Sequence, residues 1–149
     1  MKSGKSRKEL HAESSADHDT CIICGSGNPL GLKLKFDFPE DGLAECEFMP
    51  KFAYEGYKGF LQGGVSAALL DGIMTNCLFS HGIRAFTAEM TIKYRLPVRC
   101  GRKILLRARV EKSYNPLHIL SASLNQEGKE AVSATAKFME SPLLKAIKT

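Results

Sequence analysis

A chain of 149 residues with 44% hydrophobic content can bury one core but is short for two, since a domain of this size removes roughly 70% of its unfolded surface from water. No run approaches the ~18 apolar residues of a membrane span, and the opening MKSGKSRKELHAESSADHD holds no apolar stretch to serve as an export signal, so a soluble cytoplasmic protein without a membrane partner is expected. The net charge of +5 is scattered, Trp is absent and only 4 Tyr occur, which argues against nucleic acid as a partner but leaves enough cations for a small phosphorylated ligand.

Residues 1–20 are polar and without period, and their Lys2, Lys5, Arg7 and Lys8 balance Glu9, Glu13, Asp17 and Asp19. Such a segment cannot bury enough surface to order itself unaided, so it is read as a flexible arm whose removal costs neither activity nor stability. One domain is expected over 21–141 and a short tail over 142–149. GSGNPLG at 25–31 carries turn punctuation, after which Leu32, Leu34, Phe36 and Phe38 alternate with Lys33, Lys35 and Asp37 as in a half-buried strand. Glu40-Asp41-Gly42 predicts a hairpin turn into a second strand over 43–49, and the Gly-broken YEGYKGFL at 54–61 predicts a loop.

From Gly63 to Ser80 no Pro intervenes, Ala and Leu are frequent, and His81-Gly82 supplies a cation and a glycine suited to a helix C-terminus. The polar members of this helix do not gather on one face, so it belongs in the interior. Four strands are predicted after it, over 85–95, 102–112, 117–126 and 129–139, with Asn115-Pro116 and Gln126-Glu127-Gly128 as turns. In the first, Phe86, Ala88, Met90, Ile92 and Tyr94 alternate with a polar face that includes Thr87. One buried helix followed by consecutive strands argues for an α+β fold, a long antiparallel sheet wrapped around one central helix, and against a parallel βαβ sheet.

Asp71 fits its surroundings least, because Ala67, Ala68, Met74 and Thr75 are its helical neighbours and none can pair with a carboxylate. Either it reaches a polar cavity or meets a group outside the helix, or it is a solvated residue at a gap in the helix face. Gln62-Gly63-Gly64 stands where the first helical amides lack intrahelical partners, an arrangement that can hold an oxyanion or simply ease close packing. Gln62 and Asp71 are about 13.5 Å apart along the axis and about half a turn out of phase, so they can serve one site only across a two-fold axis between subunits.

The run GFLQGGVSAALLDG followed by FTAEMTIKYRLPV closely resembles the PaaI-like branch of the hotdog-fold thioesterases, whose signature reads G-x-x-H-G-G before a helix carrying L-x-D. CIICGSGNPLGLKLKF is similar to the C-x-x-C-G…N-P-x-G-L opening of many members, so the resemblance runs from residue 18 to about 139. It implies that Asp71 is the catalytic carboxylate, that the Gly63 amide polarises the thioester carbonyl beside Gly64, and that the Thr87 hydroxyl orients the carboxylate or water. Gln62 stands where histidine is usual and could only hydrogen bond, and Gly56 stands where some members carry Asn. The implied function is hydrolysis of an acyl-CoA thioester by a homodimer or homotetramer, with no cofactor and with Arg95 and Arg99 as candidates to meet the nucleotide phosphates. A non-catalytic acyl-CoA or acyl-carrier-protein sensor would keep the groove but could lose Asp71. A hydratase would want a histidine near the helix.

Cys21 and Cys24 with His18 have the look of half a zinc site, but a closed structural site needs four ligands and no second pair follows, so no metal is expected. The 5 cysteines are an odd set in a chain read as cytoplasmic and are expected to be reduced. His81 reads as a helix-end cation and His118 as a strand residue.

Overall fold

The computed structural model describes residues 4–147, so the outermost positions of the expected arm and tail, residues 1–3 and 148–149, lie outside the described residues. Strands β1 (Leu43–Phe48), β2 (Phe86–Tyr94), β3 (Ile104–Tyr114), β4 (Leu117–Gln126) and β5 (Lys129–Met139) form one sheet in the order β1-β3-β4-β5-β2. Every pairing is antiparallel, and the central helix α2 (Gly63–Phe79) packs against all five strands. This is the α+β architecture expected of the hotdog resemblance.

The seat of the helix is built from small side chains. Ala44 pairs with Ala108, Ala108 with Ala122, and Ala122 with Ala134, giving a buried alanine row across four neighbouring strands. That row leaves room for Leu69, Leu70, Ile73, Met74 and Cys77 of α2, all fully buried. Each large aliphatic side chain so placed stabilises the fold by about 1.5–3 kcal/mol relative to exposure. Along β4 the residues His118, Leu120, Ala122, Leu124 and Gln126 point inward, while Ser121 and Ser123 face outward with Arg107, Arg109, Ser133 and Thr135 of neighbouring strands. One apolar and one polar face is the usual economy of an antiparallel sheet. The helix ends as its sequence predicts, with Gly82 at φ +74° and the Ile83 amide donating to the Leu78 carbonyl at 3.0 Å.

The structure corrects two expectations about the N-terminal third. Residues 7–14, read as part of a flexible arm, form helix α1 (Arg7–Ser14) behind a reciprocal capping box of Ser6 and Glu9. The helix is docked: His11 Nε2 lies 2.7 Å from Asn76 Oδ1, its ring packs against Phe38 at 5.1 Å, and Asp17 is ion-paired with Arg84. Composition is a poor guide here because the order comes from contacts with α2 rather than from the segment's own apolar content.

The strand expected over 32–38 is also absent as a ladder. Leu34 is buried and Phe36 half-buried, so the alternation was informative about burial, but only Asp37 bridges to Glu45 of β1. Lys33 at φ +56° breaks the extension, and the Leu32 and Leu34 amides bond back to Ile22 and Ile23 instead. In the tail, a short turn of helix α3 (Pro142–Lys145) is capped by Ser141, and its Leu144 carbonyl accepts from Arg84 at 2.6 Å.

Candidate active site

Both groups of sequence-predicted site residues lie on or beside α2. Gln62 is its N-cap, and the side-chain oxygen accepts the Val65 amide at 3.1 Å, leaving the carboxamide nitrogen as a donor. A Cβ on Gly64 would come 2.7 Å from that oxygen, which gives this glycine a local reason: it admits the capping side chain. The amides of Gly63 and Gly64 occupy the first two helical positions and have no intrahelical acceptor. The positive end of the helix dipole adds to their attraction for an oxygen carrying negative charge.

Tyr94 was not singled out by sequence. Its hydroxyl donates to the Gly63 carbonyl at 2.8 Å, and its ring lies 3.6 Å from where a Gly63 Cβ would stand. It thus ties the end of β2 to the start of α2, and its only prior signal was a place on the apolar face of a strand. Gly63, Ser66, Tyr94, Arg95, Pro97 and Val132 line a depression of about 270 Å³. The Arg95 guanidinium is engaged by Ser133 at 2.6 Å and by an ion pair with Glu130 at 3.1 Å, both on the polar face of the sheet. Arg99 lies outside this lining; its guanidinium covers the Phe60 ring at 5.2 Å and has no carboxylate partner among the described residues.

Asp71 is half-buried on α2, and its Oδ1 accepts from the Thr87 hydroxyl at 2.6 Å. A short bond of this kind to a carboxylate is charge-assisted and fixes the direction of the free oxygen. The expectation that Thr87 sits on the polar face of its strand is corrected by a bulge: the register of β2 against β5 shifts between Thr87 and Glu89. The extra residue reverses the alternation, so Thr87 shares the helix-facing side with Met90 and Ile92, which pack on the core. No sequence pattern announces that bulge. The two groups remain apart within one chain, Gly63 and Asp71 being about 12 Å apart along the helix axis at its usual rise.

Other nucleophiles are set aside by their surroundings. Burial pushes the Cys46 thiol up to about 11 and the Cys77 thiol up to about 12, so neither supplies a thiolate at neutral pH. Ser113, His118 and Glu140 form a chain that sequence reading did not find, with Ser113 Oγ 2.6 Å from His118 Nδ1 and Glu140 Oε2 2.7 Å from Nε2. With both nitrogens of a buried ring satisfied, this group ties β3 and β4 to the end of β5.

The family model described as "Thioesterase superfamily" matches residues 58–115, the stretch that contains Gln62, Gly63, Asp71 and Thr87. The chain is 29% identical over 99 residues to acyl-coenzyme A thioesterase THEM5 of Mus musculus, a match covering 66% of this chain and only 40% of that relative's length. The Escherichia coli PaaI protein from the phenylacetic acid degradation operon superposes with a TM-score of 0.75 at 16% identity, over 90% of this chain and 98% of that one. A Streptococcus mutans protein bound to acetyl CoA gives 0.67 at 20% identity, over 71% of this chain and 86% of that one.

Proposed function

We propose that this chain is a PaaI-like hotdog protein of the thioesterase superfamily and that it hydrolyses an acyl-CoA thioester to the free acid and CoA. The observation that carries the reading is the 2.6 Å bond from Thr87 to Asp71, a carboxylate held on a helix that offers it no charged partner. The mouse relative is named for the same activity, and the S. mutans neighbour is described with acetyl CoA. A thiol leaves with a pKa near ~8.5 by analogy with cysteine, so little general acid is needed.

In this reading the Gly63 amide, beside Gly64 and the Gln62 carboxamide, receives the thioester oxygen. Asp71 of the opposite subunit removes a proton from water, which attacks the carbonyl carbon as the C–S bond breaks, or it attacks directly to give an anhydride that water then opens. Arg99, free of carboxylate partners among the described residues, meets the nucleotide phosphates more readily than Arg95, which Glu130 already engages. The separation of Gly63 from Asp71 supports a site completed by a second copy across a two-fold axis.

The test uses acyl-CoA esters and a thiol-trapping dye. Asp71→Asn keeps the shape and removes proton acceptance, so turnover falls by roughly 10²-fold or more while binding survives. Gly63→Val blocks the carbonyl site. Mixing the two inactive proteins under subunit exchange restores one working site per heterodimer. Undiminished hydrolysis by Asp71→Asn would remove the catalytic assignment and leave an acyl-CoA sensor as the better account.

A further inference from the structure

Away from that site, the turn following α1 brings His18, Cys21 and Cys24 together, with one ligand atom from each within 4.8 Å of the others. His18 Nδ1 and Cys24 Sγ are 3.6 Å apart. Tetrahedral zinc holds thiolate sulfur at about 2.3 Å and imidazole nitrogen at about 2.0–2.1 Å, so two such donors on one ion stand about 3.6 Å from each other. We propose that His18, Cys21 and Cys24 bind a zinc ion, with water in the fourth position on the side of the neighbouring cleft.

The local backbone is built for this geometry. The Cys21 amide bonds to the His18 carbonyl at 3.0 Å, and the Gly25 amide to the Cys21 carbonyl at 2.9 Å, so the chain curls tightly around the three side chains. Within that curl the Ile23 amide points at Cys21 Sγ at 3.4 Å. Gly25 is obligatory: a Cβ there would stand 2.3 Å from the Asp19 carbonyl oxygen and 2.5 Å from the Cys21 nitrogen. The His18 ring is fixed edge-on to Phe79, with centroids 4.9 Å apart.

His18 and Cys24 also line a cleft of about 380 Å³ with Asp19, Lys35 and Asn76, which gives solvent access to the remaining coordination position. Three protein ligands and one open position is a recurrent zinc arrangement. Loading forms two Zn–S bonds and one Zn–N bond and sends two thiol protons to the buffer; nothing is oxidised or reduced. Two thiolates then neutralise the ion. The site would staple the segment whose Ile23 packs on Gly72 of α2, next to Asp71, and it stands whether or not the chain is a thioesterase.

The freshly reduced, chelator-stripped full chain is titrated first with Co²⁺ and then with Zn²⁺. The proposal expects one ion per chain, a sulfur-to-cobalt charge-transfer band with the visible bands of a tetrahedral ion, and displacement by Zn²⁺. Cys24→Ser and His18→Ala should each weaken binding by more than the ~10–100-fold that loss of an outer-shell partner costs, whereas Cys100→Ala should bind normally. Should a variant fail to fold, the wild-type chain still decides the matter, because Zn²⁺ must slow alkylation of Cys21 and Cys24 by iodoacetamide. Substoichiometric metal, binding that survives Cys24→Ser, unprotected cysteines, or a Cys21–Cys24 disulfide in place of metal would each overturn it.

Discussion

Replacing Thr87 with Val deletes one hydroxyl and keeps the β-branched shape suited to a strand, so it isolates the bond to Asp71. Hydrogen bonds to charged groups contribute about 1.5–3 kcal/mol, and the exposure of Thr87 in the single chain argues for the lower end. If the bond holds Asp71 in its reactive direction, losing about 1.5 kcal/mol of that orientation slows turnover on the order of tenfold. The fall should appear in kcat and in kcat/KM together, since orientation matters in the transition state and not in acyl-CoA binding. Thr87→Ser keeps the donor and should stay close to wild type. Because Thr87 acts through Asp71, the double variant Thr87→Val/Asp71→Asn should be no slower than Asp71→Asn alone. Steady-state hydrolysis with a thiol-trapping dye, beside thermal melts that confirm folding, measures all four proteins. Wild-type turnover in Thr87→Val, or losses that simply multiply in the double variant, would refute the positioning role.

Three further outcomes follow from the packing. A Cβ on Gly72 would meet Ile23 Cγ2 at 2.5 Å, and a β-branched side chain yields little, so Gly72→Ala should destabilise by about 1 kcal/mol net of its better helix propensity. Chemical denaturation should show that loss largely rescued in Gly72→Ala/Ile23→Ala relative to Ile23→Ala. Removing residues 2–17 takes away the His11–Asn76 and Asp17–Arg84 contacts and should lower the melting temperature by roughly 2–4 °C for each kcal/mol lost, where an undocked arm would leave it unchanged. Burial and the nearby Arg7 hold His81 below its usual range against the raising effects of the Cys77 carbonyl and Asp41. The unfolded chain therefore takes up this proton first, and stability is complete above the ordinary histidine pKa of ~6.5 and declines as pH falls through and below it. Urea titrations from pH 7 to about 5 should show a shallower decline for His81→Gln.

The helix and the last four strands were legible because their signals are local: an unbroken apolar run closed by His81-Gly82, and alternation bounded by turn residues. The failures share a different cause. Leu32 to Phe38 alternates like a strand, yet Lys33 in the left-handed region and the bonds back to Ile22 and Ile23 deny it a ladder. Helix α1 is too short and polar to hold itself, and its contacts with α2, with the phenylalanines beneath it and with Asp41 make it stable. Asp71 stood out as a carboxylate without a helical partner, but that Thr87 faces it depends on a bulge written in the pairing of two strands and not in either one. His18, Cys21 and Cys24 were visible as a fragment; the tight turn around Gly25 converts spacing into proximity.

The same strand explains why the proposed site would be divided between copies. β2 is the outer strand beside β5, so among the described residues one row of its backbone donors and acceptors has no ladder partner, while Phe86 and Tyr94 are 47% and 55% exposed. A 9-residue edge without proline is a liability unless something covers it, even with Glu89 and Lys93 to blunt it. Next to that edge, Gly64, Ala67, Ala68, Asp71 and Thr75 of α2 are left partly open at helical spacing, a line small enough for close approach. A second copy meeting the first along β2 would cover the edge and bring one helix start toward the other helix's aspartate. Thr87 and Tyr94, which fix Asp71 and Gly63 respectively, both belong to this strand. Association and catalysis would then share their residues, so a change on β2 that abolishes activity locates the chemistry only when the subunits are found still joined.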